Sequence, residues 1–146
     1  MNLTDGIKIS EAHAPIAAAL NTDANTDILD MTGFDGVVFI VPIEDSAATG
    51  VATVTVEANT ANSDSGMAAI SGAVATVTDS AGGNDNLNGK LLIVDVYRPQ
   101  KRYLQAAITS TIANIAFGTA IAIRYQGTKL PATDDATVAA SAAVTG

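Results

Sequence analysis

Residues 37–58, VVFIVPIEDSAATGVATVTVEA, decide the fold class. The first seven residues are a β-branched and aromatic run, which predicts a strand buried on both faces. Pro42 cannot donate a hydrogen bond to a strand ladder, so we expect it at the end of this strand or at a sheet edge. After the polar turn EDSAATG, residues 51–58 alternate strictly between apolar and polar side chains. This alternation predicts a second strand with one buried face.

The same kind of pattern continues on both sides of this stretch. Further strand-like segments, separated by turn-forming residues, lie at residues 28–31, 70–79, 91–97, 102–109 and 112–126. About seven or eight short strands without intervening helices are typical of an antiparallel all-β fold. The sequence therefore predicts an all-β protein, an antiparallel β-sandwich or barrel of the jelly-roll kind.

The two ends of the chain differ from this pattern. Residues 1–27 are predicted to be an N-terminal arm or irregular segment, because Pro15 and the polar NTDANTD stretch oppose a short helix at 16–20. Residues 28–146 are predicted to form the β-domain, which ends in a short C-terminal tail. Within that tail, Thr133 or Asp134 could cap a short alanine-rich helix.

Composition argues against several classes of function. The chain has no cysteine, which removes disulfides, thiolate nucleophiles and cysteine-ligated zinc. Its only histidine is His13, which argues against a Ser-His-Asp triad or a two-histidine metal site within one chain, and a surface or packing role is expected for this residue. A net charge of −8 argues against binding to nucleic acid, and no apolar run reaches the length of a membrane span. No signal peptide, enzymatic activity or cofactor is predicted.

The charge is uneven along the chain. Residues 1–85 carry twelve acidic residues and one basic residue, whereas residues 86–146 carry three acidic and six basic residues. An acidic half and a mildly basic half suit association with a complementary surface. The same distribution of charge is also explained if these residues simply face water on a single soluble domain, which is the simpler interpretation.

Three acidic or glycine-rich stretches have residue types that could bind a cation. Residues 82–89, GGNDNLNG, have the composition of calcium-binding turns in parallel β-rolls, but those turns need stacked repeats and only one copy is present. A flexible hairpin loop is the favoured interpretation. The acidic pairs Glu44–Asp45 and Asp134–Asp135 do not by themselves place six oxygens around one ion.

The stretch YRPQKRY, residues 97–103, concentrates rings and positive charge that are rare elsewhere. We expect the flanking strands to form a hairpin that turns at residues 98–101, with Tyr97 across from Arg102 in a cation–π contact. Arg98 and Lys101 would face each other at the tip. Asp95 lies in an apolar strand and needs a partner, for which a nearby arginine is expected.

Two interpretations of this stretch remain open. The rings and charges either hold the hairpin together or contact a partner protein, since tyrosine and arginine are enriched at interface hot spots. The candidate interface residues are Tyr97, Arg98, Lys101, Arg102 and Tyr103.

Three segments resemble known proteins: DMTGFDGVVFIVPI (30–43), DVYRPQKRYLQAAI (95–108) and IRYQGTKLPAT (123–133). They resemble segments of the capsid decoration, or cement, proteins of tailed bacteriophages, and the resemblance extends from about residue 28 onward. It implies an all-β protein on the outer surface of the phage head, assembled in the host cytoplasm. It also implies a homotrimer whose partner is the major capsid protein, without a membrane.

We assign contact roles to the acidic N-terminal segment and to the 97–103 stretch, one toward the capsid and one toward neighbouring copies. Two other functional classes remain. A tail or fibre component that binds a host surface would also be rich in β-structure. A carbohydrate-binding module or hydrolase is the third class, although the scarcity of aromatic rings argues against a sugar-binding cleft.

Overall fold

The structure, a computed structural model, describes residues 6–126 and 138–145. All regular structure in these residues is β-strand, which confirms the predicted fold class, and two sheets contain twelve strands rather than seven or eight. The strands are β1 (Ile7–His13), β2 (Ile16–Ala19), β3 (Asp23–Asn25), β4 (Leu29–Asp30), β5 (Gly36–Ser46), β6 (Val51–Asn59), β7 (Ala68–Thr78), β8 (Leu91–Tyr97), β9 (Tyr103–Thr111), β10 (Ile115–Phe117), β11 (Ala120–Tyr125) and β12 (Val138–Thr145). None of these residues forms a helix that is long and apolar enough to cross a membrane.

The first sheet is built around β5, which is eleven residues long. On one side β5 pairs with β8, and β8 pairs with β12. On the other side β5 has two partners in succession, β11 and then β10, which lead outward to β1 and β2 respectively. The length of β5 therefore lets one strand organise a seven-stranded sheet.

Pro42 lies inside β5 and not at its end, so the prediction of a strand end or sheet edge is wrong. Its position nevertheless follows from its missing N–H group. The pairing of β5 with β11 runs to Ile40 and the pairing with β10 begins at Ile43, so Pro42 lies where the partner strand changes. In this gap the Gly118 amide donates to the Pro42 carbonyl at 2.9 Å.

The second sheet has the order β3–β9–β6–β7, with β4 pairing with β9 beyond the end of β3. The alternation predicted for residues 51–58 is confirmed, because its apolar members point inward. The fully buried set on β6 is Ala52, Val54, Val56 and Ala58.

The core lies between the two sheets and consists largely of small side chains. Phe39 and Phe117 are the largest fully buried residues, and alanines and valines fill most of the remaining space. Small side chains lose little rotamer entropy on burial, but each also contributes little buried apolar area. The few large residues on the first sheet therefore carry a disproportionate share of the packing.

The prediction of an irregular segment over residues 1–27 is wrong for residues 7–25, and the short helix at 16–20 is absent. These residues form β1, β2 and β3, which pair with β11, β10 and β9. The segment therefore contributes strands to both sheets. Hydrogen bonds to neighbouring strands outweigh the weak local strand propensity of its alanines and asparagines.

The C-terminal tail also differs from the prediction. Residues 138–145 form β12, which adds to the edge of the first sheet in parallel with β8, so the alanine-rich helix is wrong for these residues. The candidate caps Thr133 and Asp134, and the acidic pair Asp134–Asp135, lie outside the described residues.

The outer faces of the two sheets have different compositions. The register places on the outer face of the first sheet a set that we call the isoleucine face: Ile7, Ile9, Val38, Ile40, Leu91, Ile93, Ile121 and Ile123. The corresponding set on the second sheet is the threonine face: Thr53, Thr55, Thr76, Thr78, Thr109 and Thr111. The prediction that residues 37–43 are buried on both faces is therefore wrong for the outer face, where Val38 and Ile40 are only half-buried.

Candidate functional site

The predicted hairpin around residues 98–101 does not form. Strand β8 belongs to the first sheet and strand β9 to the second, so residues 98–102 cross from one sheet to the other. The N-terminal part of β5 pairs with β8, while β6 pairs with β9 along its whole length. These long-range pairings take both partners that a hairpin would have needed.

The two tyrosines of this stretch consequently lie on different sheets. Tyr97 is opposite Gly36 in the first sheet, and Tyr103 is opposite Asn59 in the second. Each ring is covered by the arginine next to it in sequence, at 5.2 Å for Arg98 over Tyr97 and 5.1 Å for Arg102 over Tyr103. The predicted contact between Tyr97 and Arg102 is therefore wrong, although both residues do form cation–π pairs.

Arg98 has a positive φ of 51°, which is uncommon for a residue with a side chain. Its backbone amide donates to the Asp35 carbonyl at 2.6 Å, and this bond fixes the start of the crossing segment against the turn after β4. The conformation directs the Arg98 guanidinium over the Tyr97 ring. The chain thus leaves β8 sharply and does not return along it.

Arg102 is held by Asp30 at the end of β4. Its Nε and Nη2 atoms donate to the two carboxylate oxygens of Asp30 at 2.9 and 2.8 Å, and the Thr32 amide and hydroxyl donate to the same carboxylate. The hydrogen bonds from Arg102, followed by those from Thr32, hold the pKa of Asp30 well below its usual range. The same pairing raises the pKa of Arg102. Both side chains are largely exposed, so their role is mainly geometric.

A second arginine supports Asp30 from inside the sandwich. Arg124 on β11 is 8% exposed, and its Nη1 atom donates to the Asp30 carbonyl at 2.9 Å. Its guanidinium stacks on the Phe34 ring at 5.1 Å, and its Nε atom has no hydrogen-bond partner among the residues that the structure describes. Asp30 therefore lies between one buried and one exposed arginine.

These contacts create a shallow cationic opening at one end of the sandwich, which we call the cationic rim. Its lining includes the basic residues Arg98, Lys101 and Arg102 together with Phe34 and the acidic Asp35, around a volume of about 420 Å³. Three basic side chains against one acidic residue of the lining suit the carboxylates of a partner protein.

Of the predicted interface residues, the structure brings together Arg98, Lys101 and Arg102 and separates Tyr97 from Tyr103. Sequence reasoning missed Asp30, Phe34 and Arg124 as the supports of this opening. These three residues lie in segments 30–43 and 123–133, for which the resemblance was stated, but both segments are far from 95–108 in sequence. Only the sheet register brings the three segments to one end of the molecule.

Asp95 has a partner, but it is not the expected arginine. The Tyr125 hydroxyl donates to Asp95 at 2.5 Å, although the two residues lie on strands separated by β5. The Tyr125 ring can cross β5 because the position between them is Gly36, where a Cβ atom would collide with the ring. Burial, and then the hydrogen bond to Asp95, raises the pKa of Tyr125 above its ordinary value.

The 80–89 loop also connects the two sheets and is not a hairpin loop. Burial acts to raise the pKa of Asp79 at the start of the loop, but hydrogen bonds from Ser46 and Asn86 and from backbone amides produce a net lowering. Asp79 accepts from Ser46 Oγ at 2.6 Å and from Asn86 Nδ2 at 2.8 Å. Within the described part of the chain, no group of three or more acidic, histidine or cysteine side chains could hold a metal ion.

Comparison with known proteins leaves the family open. No protein-family model and no curated relative matches the sequence. A solved structure that resembles the chain contains the CBM22-1 and GH10 modules of the Clostridium thermocellum endo-1,4-β-D-xylanase 10B, complexed with xylohexaose. The match has 15% identity and a TM-score of 0.45, and it covers 89% of this chain and 28% of that chain. At this level the likeness carries no functional inference.

Proposed function

We propose that this protein is a structural virion protein that binds the outer surface of an assembled phage capsid and stabilises it. The observation that carries the proposal is the cationic rim. Three of the seven basic residues of a chain with net charge −8 are gathered at one end of the sandwich. Asp30 holds the Arg102 side chain and the Asp35 carbonyl holds the Arg98 backbone, so a partner meets two ordered arginines beside Lys101.

The proposed mechanism is mass action. A protein that binds the assembled shell, and not its separated subunits, stabilises the shell by its free energy of binding. If the protein is a homotrimer, three copies of the rim engage the shell at once and avidity replaces strong individual contacts. The partner is the major capsid protein, which must present carboxylates opposite the rim. No cofactor or catalytic step is required.

The proposal is tested by cosedimentation of the purified protein with capsids that lack it. We expect saturable binding that weakens as salt is raised, because exposed charges are screened. Lys101→Glu should weaken binding by about tenfold or more, which corresponds to about 1.4 kcal/mol. Lys8→Glu is the matched control, since Lys8 is an exposed lysine on β1 outside the rim. Equal binding by both variants, or no binding by the wild type, would contradict the proposal.

Carbohydrate binding is the second candidate. It is favoured by the half-buried rings of Tyr97 and Tyr125, which lie on either side of Gly36 beside the Asp95 carboxylate. A glycan screen separates the two functions, because a decoration protein needs no glycan to saturate capsids. A tail or fibre component would instead bind tails and leave empty heads unoccupied.

A further inference from the structure

Strand β7, at the edge of the second sheet, contains a large bulge. Between the pairs Thr55–Val74 and Glu57–Ala69, β6 advances by two residues and β7 by five. Three extra residues of β7 are therefore pushed out of the ladder. Gly72 lies in this bulge with a positive φ of 79°, a conformation that glycine adopts without a steric penalty. Bulges are common at sheet edges and next to active sites, where they redirect side chains.

Strand β12 of the first sheet packs against this bulge. The Val144 Cγ1 atom lies 3.2 Å from the position that a Cβ atom at Gly72 would take. Any larger residue at Gly72 would therefore be crowded as well as strained. The contact fixes the bulge against the edge of the first sheet, so the bulge forms a defined wall.

An opening of about 300 Å³, which we call the bulge pocket, lies beside this wall. Its lining includes the apolar residues Ala58, Ala68, Ala69 and Ile70. Because three of these side chains are only methyl groups, they leave space that the described chain does not fill. Ligand sites are concave and mostly apolar, carry a few polar groups and begin at roughly 300 Å³. The bulge pocket has these properties.

Lys101 joins the bulge pocket to the cationic rim, because Lys101 and Gln100 line both openings. Lys101 is half-buried and is the one charged residue in the described lining of the pocket. It forms no salt bridge with any described residue. Glu57 lies opposite Ala69 in the ladder, but its carboxylate accepts a hydrogen bond from Gln105 and is not part of the lining. An unpaired ammonium group beside an apolar hollow suits a ligand that combines a carboxylate with an aliphatic group.

We infer that the bulge pocket takes an aliphatic side chain of the capsid partner, and that Lys101 holds a carboxylate of the same segment. The inference rests on the proposed function, in which the partner presents carboxylates to the rim. A segment that extends from the rim into the pocket passes Lys101, so its carboxylate and its aliphatic side chain must be close together. Burial of the aliphatic group stabilises the complex through apolar area, which salt does not screen, whereas the charged contacts weaken with salt.

The experiment is cosedimentation with capsids that lack the protein, repeated at several salt concentrations. The variant is Ala68→Leu, which fills the pocket and leaves every charge in place. The matched control is Ala81→Leu, since Ala81 is an exposed alanine of the 80–89 loop and does not line the pocket. Circular dichroism checks that each variant is folded, and Ala69→Val replaces Ala68→Leu if that variant fails to fold.

We expect Ala68→Leu to weaken capsid binding by about tenfold or more at every salt concentration, with the control unchanged. Its dependence on salt should stay that of the wild type, because the rim keeps its charges. Binding by Ala68→Leu that equals that of the wild type would overturn the inference. If Lys101→Glu still weakens binding in that case, the proposed function stands without it.

A wild type that does not bind capsids would contradict the proposed function, and a second measurement then decides the inference. N-acetyl-leucine, which joins a carboxylate to an aliphatic side chain, is titrated into the full chain and followed by NMR. Shifts at Ala68 and Lys101 that are absent with N-acetylglycine and in Ala68→Leu would support the pocket as a site for such a ligand. No shifts at these two residues would overturn it.

Discussion

The two outer faces of the sandwich are built on the same kind of core but differ in what they present. The threonine face carries hydroxyl groups that pair with each other, as Thr53 and Thr76 do at 2.8 Å. The isoleucine face carries aliphatic side chains in the same positions of the pleat. Both faces are formed by strands with fully buried inner residues. The difference therefore lies in the surface that each sheet presents, which is mainly aliphatic on the first sheet and rich in hydroxyl groups on the second.

The comparison also separates two ways of using aromatic residues. Tyr103 lies at the margin of the second sheet under Arg102, whereas Tyr125 reaches across the first sheet to Asp95. The first ring supports the cationic rim, and the second donates a hydrogen bond to the Asp95 carboxylate on the isoleucine face. Each tyrosine thus belongs to a different surface, although the sequence groups Tyr97 and Tyr103 together.

The largest expected effect contrasts the two sides of β5. Phe39→Ala removes a fully buried ring from the core and should lower the free energy of unfolding by about 3–5 kcal/mol. Ile40→Thr, on the next residue, should cost the monomer about 1 kcal/mol or less, because this side chain is only half-buried. Urea unfolding at low protein concentration measures both. Similar losses would mean that the outer face belongs to the core.

The next effect tests the crossing of β5 by Tyr125. Gly36→Ala places a methyl group where the Tyr125 ring lies, and should lower the free energy of unfolding by about 1–3 kcal/mol. Gly82→Ala is the control, because a Cβ at Gly82 meets nothing within 4 Å. In a Tyr125→Ala background the cost of Gly36→Ala should largely vanish. If Gly36→Ala still lowers the free energy of unfolding in the Tyr125→Ala background, the cause is backbone strain and not a collision with the ring.

A smaller effect concerns the hydroxyl of Tyr125. Tyr125→Phe leaves Asp95 without this donor and should cost about 1 kcal/mol near neutral pH. Since the folded-state pKa of Tyr125 is raised, its contribution is fully present below the unfolded-state value of about 10 and is lost as pH rises above it. Wild-type stability should therefore fall more steeply above pH 10 than that of Tyr125→Phe. The free energy of unfolding of both proteins is measured by urea titration at each pH. If the two profiles run parallel above pH 10, ionisation of Tyr125 is not linked to unfolding.

The smallest effect is expected on the threonine face. Thr76→Val removes a hydroxyl pair that water can replace, so stability should change by no more than about 0.5 kcal/mol. Solubility should fall if the hydroxyl groups keep this face hydrated. Thermal unfolding and a precipitation midpoint in ammonium sulfate measure the two properties. A loss of more than about 1 kcal/mol would show that the hydroxyl pair stabilises the fold itself.

Much of the fold could be predicted from local pattern. Strict alternation at 51–58 identified β6 and its buried face, and residues 91–97 match β8. What could not be predicted is pairing between distant segments. The local sequence of 91–97 and 102–109 predicts a hairpin. Instead β8 pairs with β5 and β9 pairs with β6, so the two strands lie in different sheets. Weak strand formers such as β2 and β3 exist only because neighbouring strands offer hydrogen bonds.

The site shows the same division. The basic residues Arg98, Lys101 and Arg102 were evident because they are adjacent in a chain poor in positive charge. Their supports Asp30 and Arg124 lie 72 and 22 residues away from Arg102, and no local pattern links them to it. A continuous apolar run at residues 37–43 also carries no information on whether its outer side is covered by the same chain or by another molecule.

Because the chain contains no cysteine, a single introduced thiol can report directly on one surface. Gln100→Cys places a thiol at the cationic rim without removing a charge, and Thr53→Cys places one on the threonine face. The decisive measurement is the alkylation rate of each variant with and without capsids that lack the protein. The account predicts that the thiol at position 100 reacts more slowly when capsids are present, whereas the thiol at position 53 reacts at one rate throughout. Equal rates at position 100 with and without capsids would contradict it.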